Sequence, residues 1–258
     1  MIISFNCVSC GYKNHCVVSN LSFSFRTGEA TCILGSNGIG KTTIFKSLLG
    51  YLPLMEGTIY VDNKDLKTMT VKQRASIMAY VPQAKSYSYQ FTVRDIVLMG
   101  RASYIPRFQA PGNEDYSVVN QTLEKVGIAE YSNRYYSELS GGEQQMVLLA
   151  RAIAQGSKYI LLDEPASNLD YLNQKKLLNL ITDLTDSGIG ILMVSHSPEH
   201  AFMCCKNTLM IDTKGHYVYG QTQNVITSDN LKKTYGVSIS IVQVEDMCGK
   251  KINACYLE

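Results

Sequence analysis

The chain has 258 residues, 18% of them charged and 45% hydrophobic, with a formal net charge of +2. That length suits one ordinary folded unit burying roughly three quarters of its surface, and the composition excludes a disordered chain. So weak a positive balance raises no field to gather nucleic acid, and no nucleic-acid partner is expected.

From the N-terminus, residues 2–8 and 17–25 are rich in β-branched and aromatic residues, and Leu21 to Phe25 alternate strictly, which predicts strands. The apolar run Thr31-Cys32-Ile33-Leu34 then leads into a glycine-rich loop. Ile44, Leu48 and Leu49 recur at helical spacing until Gly50 and Pro53, so the order there is strand, loop, helix. Between about 92 and 156 the pattern is helical, broken by Pro106, Pro111 and Gly112, as in an inserted helical subdomain. From Tyr159 the chain reads strand (159–162), helix (171–186), strand (189–194), helix, the alternation of a parallel sheet in an α/β fold. A helical turn near 228–235 and the strand-like VSISIVQV follow. No apolar run approaches the roughly 20 residues of a membrane span, and MIISFNCVSC lacks a secretory signal's basic and apolar regions, which predicts a cytoplasmic location. The eight cysteines are irregularly spaced and read as reduced thiols packed as small hydrophobes. Cys7-Val-Ser-Cys10 and Cys204-Cys205 are each weak halves of a zinc pattern, set in strand and helix context.

Three motifs carry chemistry. Gly35-Ser36-Asn37-Gly38-Ile39-Gly40-Lys41-Thr42 fits a phosphate-binding loop, in which glycines let backbone N–H groups converge on phosphate oxygens at a helix N-terminus. Lys41 would reach the β and γ phosphates and Thr42 would hold Mg²⁺. A glycine-rich turn with a lone lysine is the plainer reading, but this pattern follows an apolar strand and opens a helix. Ile160-Leu161-Leu162-Asp163-Glu164-Pro165 ends a strand in two carboxylates, and a cation is their natural relief. Asp163 would take the metal and Glu164 would polarise the attacking water; alone, the pair would read as a solvated acidic turn. Leu139-Ser140-Gly141-Gly142-Glu143 opens a helix with Met146, Leu149, Ala150 and Ile153 on one apolar face. Ser140 and Glu143 make a capping box, and a helix N-terminus with two glycines is also an anion site.

These motifs, with a histidine after the next strand, resemble in order and spacing the ATP-binding cassette (ABC) transporter ATPases over roughly residues 2–220. Glu143 replaces the glutamine commonest in that family. The resemblance implies a phosphate-loop nucleotidase core with an N-terminal antiparallel β subdomain, an inserted helical subdomain at about 92–156 and a C-terminal extension at about 225–258. It implies ATP and Mg²⁺ as cofactors, and a head-to-tail homodimer in which Ser140, Gly141 and Gly142 of one copy meet the nucleotide held by Gly35 to Thr43 of the other. Tyr12 matches the aromatic that stacks on adenine, Gln83 the glutamine that contacts Mg²⁺, and His196 the histidine that contacts the γ-phosphate. Ser167-Asn-Leu-Asp170 matches the loop linking the two sites, with Asp170 at the nucleotide. After His196 the family's usual acid is replaced by Ser197 and Pro198, which suit an N-cap and first helical position.

The segment from Phe91 to Arg101, with Ile105-Pro106, Phe108 and Asn113-Glu-Asp115, looks like importer ATPases for iron-siderophore, haem and cobalamin complexes. The partners implied are integral membrane permease subunits and, indirectly, a solute-binding protein. Molybdate import and a non-transport ABC role are the alternatives. A phosphate-loop kinase is disfavoured, because residues 139–143 would have no role in it.

Overall fold

The computed structural model describes residues 1–13, 15–84, 90–106, 108–167, 169–245 and 251–257. In chain order its elements begin with β1 (Ile2–Tyr12), β2 (His15–Arg26), β3 (Ala30–Gly35), α1 (Lys41–Leu48), β4 (Leu54–Val61) and β5 (Lys64–Asp65). Then come α2 (Val71–Ile77), β6 (Met78–Val81), α3 (Val93–Leu98), α4 (Asn113–Val126), α5 (Gly141–Ala154), β7 (Tyr159–Asp163) and α6 (Tyr171–Asp186). The chain ends with β8 (Gly190–Ser195), α7 (Pro198–Cys204), β9 (Asn207–Ile211), β10 (Tyr217–Gln221), α8 (Thr222–Val225), α9 (Ser228–Tyr235), β11 (Ile239–Glu245) and β12 (Lys251–Leu257). Two compact units result, one of residues Met1–Met69 and Ile181–Glu258, the other of Thr70–Leu180.

In the first unit β1 lies antiparallel between β2 and β4, and β5 extends β4. The alternation read at 21–25 is the buried face of β2: Leu21, Phe23 and Phe25 are at most 5% exposed, and Phe23 stacks on Phe5 at 4.5 Å. In a second sheet β3 runs parallel to both β8 and β9, while β10 returns antiparallel to β9. Every residue of β3 is buried, which explains its continuous apolar run: a strand covered on both faces has no polar side to alternate with. The chain closes in the β11–β12 hairpin.

The second unit pairs β6 in parallel with β7 and packs α3, α4 and α5 together. Gly100 lies in the short 3₁₀ turn after α3, where any Cβ would collide with the Arg151 carbonyl oxygen of α5. The neighbouring Arg101 is 8% exposed; its Nε reaches Asp115 Oδ1 at 3.2 Å and its Nη1 donates to Ala154 O at 3.1 Å. Its guanidinium also lies 3.8 Å from the Tyr104 ring centroid. Helix α5 is covered nearly all round, with Gln144, Gln145, Val147 and Leu148 buried beside the single apolar face expected from its periodicity.

The sequence pattern leaves residues 54–81 without an element, yet β4, β5, α2 and β6 occupy them. The two cysteine pairs fall in β1 and at the end of α7, where Cys204 and Cys205 sulfurs are 3.7 Å apart. The hydrogen bond with Cys205, then burial, pushes the Cys204 thiol well above its ordinary range. No helix among the described residues is long and apolar enough to cross a membrane.

The buried Arg101–Asp115 pair makes a stability test. Arg101→Ala leaves a carboxylate without its partner, costs about 3 kcal/mol and lowers the melting temperature by roughly 6–12 °C. Calorimetry of the purified variant checks this.

Candidate functional site

In the first unit the loop after β3 turns back into α1 through Gly38 (φ 81°) and Gly40 (φ 105°). Gly38 faces open space, whereas a Cβ on Gly40 would run into the Val17 and Val18 side chains at 2.7 and 2.6 Å. So Gly38 leaves room over the loop and Gly40 seats the loop on β2. Ser36, Asn37 and Thr42 are accessible, Gly35 and Thr43 buried. Lys41, only 5% exposed, donates from Nζ to the carbonyls of Gly35 at 2.8 Å and Ser36 at 2.9 Å. An ammonium held inside the loop, beneath a patch where no Cβ intrudes, fits an anionic oxygen cluster such as a phosphate chain.

Parallel pairing sets the next residue. Leu34 of β3 is opposite Ser195 of β8, so the phosphate loop leaves the sheet level with His196. The expected cap forms after it: Ser197 precedes Pro198 at the first turn of α7 and its Oγ accepts from His200 N–H at 3.4 Å. Tyr12, at the end of β1, is 43% exposed and accepts a hydrogen bond from Lys46 Nζ at 3.2 Å. That bond, and a second with Thr43, lower the phenol below its ordinary range. Tyr12 also lines an open groove of about 580 Å³ with Leu52, Pro53 and Leu54, a surface suited to a flat aromatic ligand.

In the second unit Val81 of β6 is opposite Leu162 of β7, which sets Gln83 level with Glu164. Asp163 is 8% exposed and its Oδ2 accepts from the Tyr80 hydroxyl at 3.0 Å. Glu164 adopts φ 50°, a left-handed conformation costly for a residue with a side chain. Two hydrogen bonds hold it there: its carbonyl accepts from Ser167 N–H at 3.2 Å and Ser167 Oγ at 3.0 Å. Ser167 Oγ in turn accepts from Gln83 Nε2 at 2.8 Å, so one serine ties Gln83 to Glu164. With the donor end of Gln83 so used, the oxygen atoms offered by Gln83 and Asp163 are hard donors of the kind that suits Mg²⁺.

The same unit holds Ser140, Gly141 and Gly142 at the start of α5. The capping box is present: Glu143 N–H donates to Ser140 Oγ at 3.3 Å, and Glu143 Oε2 accepts from Ser140 N–H at 2.7 Å and Oγ at 2.8 Å. Burial pushes the Glu143 carboxyl up, but the bonds from Ser140 and from Tyr131 outweigh it and hold it below its ordinary range. Ser140 and Gly141 are exposed and Gly141 meets open space, so the positive end of the helix dipole is accessible. Asp170 caps α6, its Oδ1 accepting from Asn173 N–H at 2.8 Å. Asn168 of that loop lies outside the described residues.

Sequence reasoning passed over the residues that hold these groups in place. Tyr80 carries no motif of its own, and Ser167, the first residue of the 167–170 loop, gives no sign in sequence of its bonds to Gln83 and Glu164. Gln144 and Gln145 do leave a signal, two amides inside an apolar helix. Gln144 Nε2 donates to the carbonyls of Tyr136 and Leu139, at 3.1 and 3.2 Å, just before Ser140. Gln145 Oε1 accepts from Ala84 N–H at 2.8 Å and its Nε2 donates to Pro82 O at 3.4 Å, fixing the segment around Gln83.

A family model described as "ABC transporter" matches residues 18–167. The manganese transport system ATP-binding protein MntA of Synechocystis is 35% identical over 91% of this chain and 90% of its own length. The molybdate import ATP-binding protein MolC of Haemophilus influenzae is 36% identical over 82% and 78%. Among solved structures, an inward-facing protein described as a metal-chelate type ABC transporter superposes with a TM-score of 0.89 at 31% identity, covering 99% of this chain and 97% of that one. A phosphate loop after a buried parallel strand, two carboxylates closing another parallel strand and a glycine-opened helix are thus accompanied by likeness along nearly the whole sequence, and the chain belongs to the ABC transporter family, as an ATP-binding subunit that hydrolyses ATP.

Proposed function

We propose that this ATPase powers a membrane importer for a metal chelate of the iron-siderophore, haem or cobalamin type. The observation that carries the reading is the likeness over 99% of the chain to a metal-chelate type transporter. The chain is one ABC ATPase domain with a helical subdomain at about 92–156 and a C-terminal extension at about 225–258. It works as a head-to-tail homodimer on the cytoplasmic face of the membrane, bound to permease subunits and served indirectly by a solute-binding protein. The relative named for molybdate import supports a second reading, uptake of another small solute. Transport by the subunit with its permease in liposomes, offered a ferric chelate or molybdate, separates the two: molybdate-specific uptake would overturn the first.

Each residue has a defined task. Tyr12 stacks on adenine, Gly35 to Gly40 offer backbone N–H groups, Lys41 draws the β and γ phosphates, and Thr43 closes the loop. Thr42, Gln83 and Asp163 hold Mg²⁺, which when bound neutralises phosphate charge. Glu164 orients the attacking water and takes its proton, and His196 donates to the γ-phosphate. Ser140, Gly141 and Gly142 of the partner copy complete the site, with Asp170 across the dimer. Because each copy then lacks part of its own site, ATP binding closes the dimer, the closure is transmitted to the permease through the groove near Gln83, and hydrolysis reopens the dimer.

Glu164→Gln keeps ATP binding and lowers turnover by about 10²–10⁴-fold, trapping the closed dimer. Gel filtration with ATP and a phosphate-release assay read both effects, and brisk hydrolysis by that variant would remove Glu164 from its role. Lys41→Ala weakens nucleotide binding by roughly 10–100-fold, as loss of a charge-assisted contact requires; a titration with fluorescent ATP measures it. The rate of hydrolysis rises faster than linearly with protein concentration, and Ser140→Arg abolishes the rise. A strictly linear rate indifferent to Ser140 would mean that one copy holds a complete site.

A further inference from the structure

We infer that Tyr235, in the C-terminal segment, is a positioning residue for His196. This rests on the assignment of His196 to the γ-phosphate in the proposed function. His196 is the single residue between β8, which ends at Ser195, and Ser197, the cap of α7, so the backbone at this junction sets where its imidazole is carried. The Tyr235 hydroxyl donates to the His196 carbonyl oxygen at 3.2 Å, joining two residues 39 positions apart.

Local bonds also shape the junction. Ser197 N–H donates to Ser195 Oγ at 3.1 Å, Ser195 Oγ meets His200 Nδ1 at 3.3 Å, and Ser197 Oγ donates to Glu199 at 2.7 Å. These bonds shape the first turn of α7 and hold the N–H side of the 196–197 peptide, while Tyr235 holds its carbonyl oxygen. Tyr235 reaches it from a rigid mount. It ends α9, whose Thr227 cap accepts from Asn230 N–H at 3.2 Å, whose Leu231 and Thr234 are 0% and 1% exposed, and which Gly236 terminates at φ 76°. Asn230 Nδ2 also donates to Val225 O at 2.8 Å, fastening α9 to the end of α8. Burial raises the phenol above its ordinary range, so the hydroxyl stays protonated and remains a donor at any physiological pH. From the other side β12 packs on α7, and burial with the nearby Glu199 carboxylate pushes the Cys255 thiol up to about 11. The C-terminal segment therefore grips the junction that carries His196.

Filling space would need only the ring; the hydroxyl is what separates the two roles. Tyr235→Phe keeps the ring and removes the bond. In steady-state ATP hydrolysis by the intact subunit it lowers kcat by about threefold to tenfold, with the KM for ATP within about twofold of wild type. A purely packing role would shift the melting temperature and leave kcat untouched; wild-type kcat in Tyr235→Phe overturns the inference. His196→Ala is measured beside it. Loss of turnover in His196→Ala with none in Tyr235→Phe rejects the role of Tyr235 alone, whereas normal turnover in His196→Ala rejects the assignment of His196, and the inference falls with it.

Discussion

Lys41 carries its charge 5% exposed to solvent, resting on the carbonyls of Gly35 and Ser36. Burying an ammonium is among the most expensive acts a fold performs, and the carbonyl dipoles offset part of the cost. An anion with several oxygens over the loop would complement that charge. Much else follows from keeping that loop in shape. Gly40 must be glycine to seat it on Val17 and Val18, β3 must be buried on both faces to end at the right level, and its parallel pairing with β8 brings His196 out beside it.

In the second unit the corresponding constraint is burial of two amides. Gln144 and Gln145 are adjacent on α5, so their side chains diverge by about 100° around the helix and hold different segments. One fixes the turn that leads into Ser140; the other fixes the backbone on either side of Gln83. A buried amide that loses its partners pays the full desolvation penalty, so each segment is held to α5 by a bond that is costly to break. All of these residues lie within the one unit.

The chemical motifs were legible in the sequence because each is local: a loop between strand and helix, two acids at a strand end, a cap four residues long. The strand–loop–helix around Lys41, the helices between 92 and 156 and α6 at its full length appear as the periodicity predicts. Residues 54–81 were not legible. There β4 is half-exposed, β5 is two residues long and α2 buries none of its residues, so neither period leaves an apolar stripe to read. The partners of the motif residues were hidden for another reason. Tyr80 finds Asp163 and Tyr235 finds His196 through pairing and packing across 83 and 39 residues, and nothing in a tyrosine's own neighbourhood announces such a partner. The left-handed backbone of Glu164 was equally silent, since it is imposed by Ser167 rather than favoured by glutamate.

The segment that resembles metal-chelate importers shows why branch and cargo separate. Gly100 is required by the close approach of Arg151, and Arg101 and Asp115 form an ion pair that also holds the carbonyl of Ala154 at the end of α5. These residues brace the helix that presents Ser140 and Gly142. Their chemistry answers to α5 and not to any transported solute, so a chain can keep the brace while its transporter changes cargo. The chain is similar at comparable identity to proteins named for manganese, molybdate and metal-chelate transport. Discrimination among solutes then falls to surfaces that meet the solute, and the ATPase is left to supply a common stroke.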